Sequence, residues 1–377
     1  SSVGEKSEFI TCLLDDLQEQ DWDQKISSKA LSVLKVLGRT ATGSDPLFTE
    51  EAMQLLARIA GLQSKEILDT PSSREALKCI VNSIYLEPRL KKYMETAIDS
   101  LQFLLCNDIS QEAQFLICRI LFLMTVSRAD LVTQLMNLDI AKGIEKVLHE
   151  NVSILKSNDR KLVENTLINP TSTASEALKL LFNLMLVDSR YQDCNHKSAE
   201  YFKGCLVPIF YILFEVPLVE PQPMVPPHSQ AVHALMQFTN EVITSTWKAQ
   251  VEWLSRVCNT LEKESVLVSN TFITLLDKSI HALIPSGNPD SDLPSDHQHV
   301  DATLSPLLLV IRNLTEGNAL LREKMSERML PSEEDRLQPV NQGNSLPAYL
   351  IKLMTSTMLP QTQAAICETY FVLCDED

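Results

Sequence analysis

Glycine is scarce in this sequence, with only 9 glycines among 377 residues, and no stretch of the chain concentrates them. Loops that cradle phosphate groups need closely spaced glycines, because the backbone must approach the phosphate oxygens without interference from side chains. The sequence therefore offers neither a P-loop nor a dinucleotide-binding fingerprint. Nucleotide chemistry carried out by this chain itself is not expected.

Long apolar runs and alternating patterns are also missing. No apolar run reaches the roughly 18 residues that a membrane-spanning helix needs, and no secretory signal opens the chain. We therefore expect a cytoplasmic protein that does not insert into a membrane. Convincing strand alternation is absent, whereas apolar residues recur throughout with the 3.6-residue spacing of helices. This pattern predicts an all-α protein.

Positive charge is in deficit, with 33 Lys and Arg residues against 49 Asp and Glu residues and a formal net charge of −16. Such a balance argues against bulk binding of nucleic acid or of an anionic membrane. The nine cysteines are an odd number, and most lie in apolar helical runs. They are interpreted as core residues of a reduced, intracellular protein.

Metal-binding and catalytic patterns are weak. Cys194 and His196 form a C-x-H pair, and His297 and His299 form an H-x-H pair. Neither pair is followed by a second pair at the spacing of a metal site. We therefore expect no metal, no cofactor and no covalent chemistry.

One octapeptide occurs twice in nearly the same form, EALKCIVN at 75–82 and EALKLLFN at 176–183. In both copies a Lys precedes an Asn by four residues, so the two side chains lie on one face of an otherwise apolar helix. A helix of this kind is buried on most sides and keeps one polar ridge. Its recurrence predicts stacked helical repeats whose ridges line a common groove.

The other helices can be aligned to this motif. The residues at its Asn position are Arg39, Asn82, Leu123, Asn183, Gln237 and Asn313. The first three are spaced by roughly 40 residues, which is the period of armadillo and HEAT repeats. The sequence thus predicts an all-α, armadillo/HEAT-like right-handed superhelix of stacked helical repeats; a bundle of unrelated helices is the alternative.

Later spacings are longer, which we attribute to polar segments between helices. Three of them, 216–227, 285–305 and 332–344, are predicted to be flexible loops within a single repeat domain that spans residues 1–377. Continuous helices are predicted at 129–150 and at 229–244.

The ridge suggests a ligand. Lys35, Lys78, Arg119 and Lys179 occupy the Lys position of the motif. Neighbouring cations favour an anionic ligand, such as a chain terminus or an acidic helix, and Asn side chains can pair with a peptide backbone. In the alternative interpretation the charges are simply solvated and the Asn residues brace the next turn. The residues alone leave both interpretations open.

Three stretches resemble a known family: EALKLLFNLML, LLLVIRNLTEGNALLREKM, and LPAYLIKLMTSTM with AAICETYFVLC. They are similar to the synembryns, cytosolic chaperones and guanine-nucleotide exchange factors of the heterotrimeric G-protein α subunit (Gα). The resemblance extends from about Gln24 to the end of the sequence. Family members carry a further segment beyond the last helix pair, and we expect this chain to stop before it.

The resemblance implies a partner and a site. Synembryns grip the C-terminal helix of Gα in a concave groove, so the partner would be Gα in its GDP-bound or nucleotide-free form. We expect a monomer that reaches the cell cortex or plasma membrane only through Gα. The predicted groove residues are Lys35, Arg39, Lys78, Asn82, Arg119, Lys179, Asn183 and Gln237. A general armadillo scaffold or transport adaptor that binds an acidic peptide is the alternative function.

Overall fold

The computed structural model describes residues 2–157, 166–191, 195–250, 260–285, 297–337 and 339–374. Every regular element within these ranges is helical, and none of the described residues belongs to a strand. The all-α class predicted from the sequence is therefore confirmed. The chain divides into two compact units, Ser1–Ser198 and Ala199–Asp377; the single-domain organisation stays a prediction.

The first unit is built from paired helices. Its α-helices are α1 (Val3–Glu19), α2 (Gln24–Leu37), α3 (Glu50–Ile59), α4 (Pro71–Leu86), α5 (Ile98–Cys106), α6 (Gln111–Thr125), α7 (Ala129–Asn137), α8 (Ile140–Lys156) and α9 (Pro170–Tyr191), and 3₁₀ helices cover Asp45–Phe48 and Pro88–Ala97. Helix α10 (Asn195–Tyr201) spans the boundary between the units.

Short polar side chains fix where the helices begin. The carboxylate of Asp23 accepts a hydrogen bond from the Ile26 N–H at the start of α2. The hydroxyls of Thr70 and Ser110 cap α4 and α6 in the same way. Because the first N–H groups of a helix have no partner within it, such caps set the first residue of each helix.

Two layers of helices form the core of the first unit. Helices α2, α4, α6 and α9 form one layer, in which each helix packs against the next, and we call them the ridge helices. Helices α3, α5 and α8, together with the 3₁₀ stretch, form the second layer. Apolar residues at three- and four-residue intervals fill the space between the layers. This arrangement of successive helix pairs is that of armadillo/HEAT-type repeats.

The continuous helix predicted at 129–150 is wrong, because two helices occupy this stretch. Helix α7 ends at Asn137, and Asp139 adopts a left-handed backbone conformation with φ of 64° before α8 begins. A left-handed residue cannot continue a right-handed helix. The apolar spacing carries on across this break, and for that reason it did not reveal the break.

The second unit is also entirely helical over its described residues. Its α-helices are α11 (Leu206–Glu215), α12 (His228–Leu235), α13 (Asn240–Gln250), α14 (Leu261–Leu283), α15 (His297–Thr315), α16 (Ala319–Met329), α17 (Leu346–Met354) and α18 (Pro360–Leu373), with 3₁₀ turns at Lys203–Cys205 and Asp335–Leu337. Helix α15 packs against α12, α14 and α18.

The loop predicted at 285–305 is wrong for residues 297–305, which are helical. Residues 286–296 lie outside the described residues, but α15 already begins at His297. Val300 and Leu304 are buried on this first part of the helix. Asp301 is buried too, and its carboxylate accepts hydrogen bonds from the Gln361 and Thr362 N–H groups at the start of α18. The acidic residue of this polar stretch thus caps the start of another helix.

The remaining predicted loops hold little regular structure. Residues 216–227 contain no helix, and the described residues of 332–344 contain only the short 3₁₀ turn. Within the described part of the chain, no helix is both long enough and apolar enough to cross a membrane.

Candidate ligand-binding site

A cavity of about 880 Å³ opens beside three of the ridge helices in the first unit. Its lining consists of Lys35, Gly38, Arg39, Lys78, Val81, Asn82, Tyr85, Leu86, Glu112, Phe115, Leu116, Arg119, Leu167 and Ile168. These residues come from α2 and the turn after it, from α4, from α6, and from the segment before α9. The cavity combines a charged wall with an apolar one.

Five of the eight sequence-predicted groove residues line this cavity: Lys35, Arg39, Lys78, Asn82 and Arg119. They meet because α2, α4 and α6 are successive neighbours, so equivalent ridge positions lie side by side. The register derived from the repeated motif therefore placed these residues on a common surface.

The other three predicted residues do not share this environment. Lys179 and Asn183 lie on α9 in the same unit but do not line the cavity, and Asn183 is only 7% exposed. Gln237 belongs to the second unit. The predicted helix 229–244 is interrupted between α12 and α13, and Gln237 lies in this turn instead of on a helical ridge.

The ridge lysines are not free charges. Lys35 Nζ lies 2.7 Å from a carboxylate oxygen of Glu75, and Lys78 Nζ lies 2.6 Å from Glu75 and 2.6 Å from Glu112. Glu112 also pairs with Arg74 at 2.9 Å, and Arg74 pairs with Asp69 at 2.6 Å. We call these residues the six-residue network. It contains three cations and three anions, so it carries no net charge.

Mutual pairing shifts the pKa values of Glu75 and Lys78. Burial raises the pKa of Glu75, but hydrogen bonds from Lys35 and Lys78 lower it by more, and its pKa lies below the ordinary value. Burial lowers the pKa of Lys78, but the hydrogen bonds and charges of Glu112 and Glu75 raise it by a larger amount. The pKa of Lys78 therefore lies above the ordinary value. Both groups are thus held in their charged forms at neutral pH.

A second cluster surrounds Glu176 on α9. This glutamate is 5% exposed, and its carboxylate lies 2.8 Å from Lys179 and 3.8 Å from Arg119. Two cations share one anion here, which leaves a single excess positive charge. Arg119 also lies over the Phe115 ring, 5.7 Å from the ring centroid.

Arg39 differs from the other cations of the cavity. It is exposed, and it forms no ion pair or hydrogen bond through its side chain with any residue that the structure describes. The excess positive charge of the cavity therefore comes from Arg39 and from the cluster around Glu176.

The motif asparagines act as braces between successive helices. Asn82 Nδ2 donates to the Lys35 carbonyl at 3.2 Å, and Asn183 Nδ2 donates to the Thr125 hydroxyl at 2.8 Å. In the second unit Asn313 Nδ2 donates to the Phe238 carbonyl at 3.0 Å. In each case the acceptor belongs to an earlier part of the chain. The alternative interpretation had these side chains brace the next turn, whereas the bonds shown run to an earlier part of the chain.

Sequence reasoning overlooked the acids. Glu75 and Glu176 stand at the head of each motif copy, and each pairs with a cation on the preceding ridge helix as well as with the Lys three residues later. Glu112 lies seven residues before Arg119, which places it on the same helical face. That spacing could have revealed Glu112, whereas nothing in the sequence places Leu167 and Ile168 at the cavity.

The residues of the two weak metal-binding patterns can be located only in part. Among the described residues, no group of three or more His, Cys, Asp and Glu side chains is arranged to hold a metal ion. His299 lies in the described part of α15, whereas Cys194 lies outside the described residues.

Comparison with known proteins supplies the family. A family model described as guanine nucleotide exchange factor synembryn (Ric8) matches residues 30–377. The chain belongs to the synembryn family. The resemblance found in the sequence motifs is thereby confirmed over nearly the whole chain.

Individual synembryn relatives are distant. Chaperone Ric-8B of Rattus norvegicus is 24% identical over 379 residues, which cover 92% of this chain and 71% of the relative. Chaperone Ric-8A of Xenopus tropicalis is 24% identical over 387 residues, which cover 95% of this chain and 66% of the relative. The chain therefore spans about two thirds of the length of these synembryns.

A solved structure supports the fold alone. The crystal structure of an engineered protein from the Northeast Structural Genomics Consortium superposes with a TM-score of 0.51 at 14% identity, covering 97% of this chain and 78% of that chain.

Proposed function

We propose that this chain is a guanine-nucleotide exchange factor and folding chaperone for Gα, and that the cavity of the first unit receives the C-terminal helix of Gα. Membership of the synembryn family carries the first part of the proposal. The cavity carries the second part, since it offers an apolar wall and unneutralised positive charge within one surface. The protein would act in the cytoplasm and would meet membranes only through Gα.

The lining of the cavity suits one face of an amphipathic helix. The cavity volume of about 880 Å³ lies within the range of ligand-binding clefts. Val81, Leu86 and Leu116 form an apolar floor, and Tyr85 and Leu167 extend it outwards with exposed fractions of 69% and 97%. An apolar helix face would bury these side chains, which is the usual mode of binding a helix in a groove.

Exchange on this basis needs no covalent chemistry. In GDP-bound Gα the C-terminal helix packs against the rest of Gα. If the cavity binds this helix in a position where it cannot pack in that way, it stabilises the nucleotide-free form of Gα. A binding partner shifts an equilibrium only by the difference between its affinities for the two states. GDP release then follows from tighter binding of empty Gα, and GTP binding reverses it. The same contact would shield newly made Gα from aggregation.

The charge pattern counts against the scaffold that binds an acidic peptide. Lys35 and Lys78 face the cavity, but the six-residue network neutralises both. An acidic peptide would have to break these ion pairs, whereas a mainly apolar helix with one anionic group would not. The described contacts therefore favour the Gα tail over a polyacidic ligand.

Release of labelled GDP from purified Gα tests the proposal. We expect the chain to accelerate release and to bind a peptide of the Gα C-terminal helix in a fluorescence anisotropy titration. Arg39→Glu should weaken peptide binding at least tenfold, because it reverses a charge at the apolar cavity.

Lys142→Glu is the matched control, since Lys142 is an exposed cation of the second layer and does not line the cavity. It should bind the peptide as the unaltered protein does. Equal binding by Arg39→Glu would show that the tail binds elsewhere. If the unaltered protein neither binds Gα nor accelerates the release of GDP from Gα, the exchange-factor proposal itself is refuted.

A further inference from the structure

Glu112 is the only acidic residue among those that line the cavity within the described part of the chain. It lies on α6 and reaches back towards α4, where its two carboxylate oxygens are divided between two cations. One lies 2.6 Å from Lys78 Nζ, and the other lies 2.9 Å from Arg74 Nε. It thus occupies the position that an anionic ligand group would take on either cation.

Glu112 is also the most accessible acid of the six-residue network. Its side chain is 33% exposed, whereas those of Glu75 and Asp69 are 14% exposed. The other two acids are set back between the helices. An incoming ligand would therefore meet the carboxylate of Glu112 before it met any other negative charge of the network.

From this placement we infer that Glu112 is a specificity-determining residue, which rejects ligands that carry an acidic side chain next to Lys78. The inference rests on the proposed function, because it concerns the same cavity. Glu112 already satisfies Lys78 and Arg74, so a second carboxylate there gains no free cation and meets a like charge. Neutral or basic side chains of the ligand meet no such repulsion.

The Arg39 side of the cavity has the opposite preference. No described acid pairs with Arg39, so an anionic ligand group placed there finds an unneutralised partner. The charge preference of the cavity is therefore asymmetric. Negative ligand groups are favoured near Arg39 and disfavoured near Lys78. This asymmetry would fix the orientation in which a tail lies in the groove.

A glutamate scan of the Gα C-terminal peptide tests the inference. Each peptide residue is replaced by Glu in turn, and the dissociation constants are measured for the unaltered protein and for Glu112→Gln. We expect at least one position where Glu weakens binding to the unaltered protein about tenfold and weakens binding to Glu112→Gln less than threefold. The ratio of the two losses measures the coupling between Glu112 and that peptide position.

Two further variants sharpen the result. Glu95→Gln is the matched control, since Glu95 pairs with Arg128 at 2.8 Å, has a similar exposure of 39%, and does not line the cavity. It should reproduce the scan of the unaltered protein. Lys78→Met leaves Glu112 less neutralised and should increase the penalty at the same positions about threefold. Circular dichroism verifies that each variant is folded.

The outcomes separate the two proposals. If the unaltered protein binds the peptide but its scan is identical to that of Glu112→Gln, the role of Glu112 is refuted and the groove remains. If Lys78→Met relieves the penalty, the sign of the effect is wrong and the inference also fails. If the unaltered protein binds no peptide, both the groove and this inference fall.

Discussion

The two copies of the repeated motif share five identical residues yet lie in different surroundings. On α4 the copy lines a cavity, and its Lys78 and Asn82 are half-buried at the edge of that cavity. On α9 the copy does not line the cavity, and its Glu176 and Asn183 are buried within the protein. The two copies therefore have different surroundings although their sequences are nearly the same.

What the copies do share is their bonding. In each, the glutamate pairs with a cation of the preceding ridge helix, and the asparagine donates to that helix or to the residue that ends it. The motif therefore joins one repeat to the next. Under the proposed function, ligand binding uses only the α4 copy, because that copy lines the cavity.

Removing the asparagine brace should have the largest effect, and it should differ between the copies. Asn183→Ala should lower the free energy of unfolding by about 2–3 kcal/mol, because it removes a buried hydrogen bond and leaves a void. Asn82→Ala should cost about 1 kcal/mol, since water can reach its partner. Urea unfolding followed by circular dichroism gives both values. Equal losses would mean that burial does not distinguish the two braces.

Two aspartates near the motif copies should respond with opposite signs. Burial raises the pKa of Asp69, but hydrogen bonds from Ser110 and the charge of Arg74 lower it by more, so its pKa lies below 3.8. Burial raises the pKa of Asp188 on α9 above 3.8. No described residue forms an ion pair or hydrogen bond with the carboxylate of Asp188. At pH 7, Asp69→Asn should destabilise the protein by about 1.5 kcal/mol, and Asp188→Asn should stabilise it by about 1 kcal/mol.

The pH dependence of these variants provides the check. The contribution of Asp69 is present above its unfolded pKa and is lost as the pH falls through its lower folded value. The penalty from Asp188 is absent below its unfolded pKa and is fully present once the pH exceeds its raised folded value. Both differences from the unaltered protein should therefore shrink in acid. A loss of stability for Asp188→Asn at pH 7 would show that its carboxylate has a partner.

Thiol reactivity gives the smallest and simplest contrast. Cys79 follows the Lys of the α4 copy, is 2% exposed, and burial raises its pKa to about 12. Cys12, Cys367 and Cys374 are exposed. Cys79 should therefore resist alkylation in the folded protein, while the three exposed thiols react, and mass spectrometry of the peptides would show it. Rapid labelling of Cys79 would mean that α4 opens readily.

Much of the fold followed from the sequence, because helical spacing and capping residues are local signals. Pro71 and the polar residues around it mark the start of α4, and the repeated motif fixed the register of the ridge helices. Breaks that depend on backbone conformation, such as the one at Asp139, leave the apolar spacing intact and were missed.

The site was harder to predict, because charge balance is a property of contacts. The cations at the Lys position were recognised, but the glutamates that neutralise them lie on neighbouring helices, as Glu75 does for Lys35 and Glu112 does for Lys78. In the sequence, Arg39 aligned with the Asn position of the repeated motif, where it is an imperfect match. Only the packing shows that it is a cavity cation without a partner among the described residues.

Side-by-side titration of the Gα C-terminal peptide against Arg39→Ala and Lys35→Ala tests the central claim most directly. Both residues line the cavity, but only Lys35 is neutralised, by Glu75 at 2.7 Å. We predict that Arg39→Ala weakens binding about tenfold without changing stability, and that Lys35→Ala weakens binding less than threefold while it lowers stability. A larger loss of affinity for Lys35→Ala than for Arg39→Ala would contradict the account.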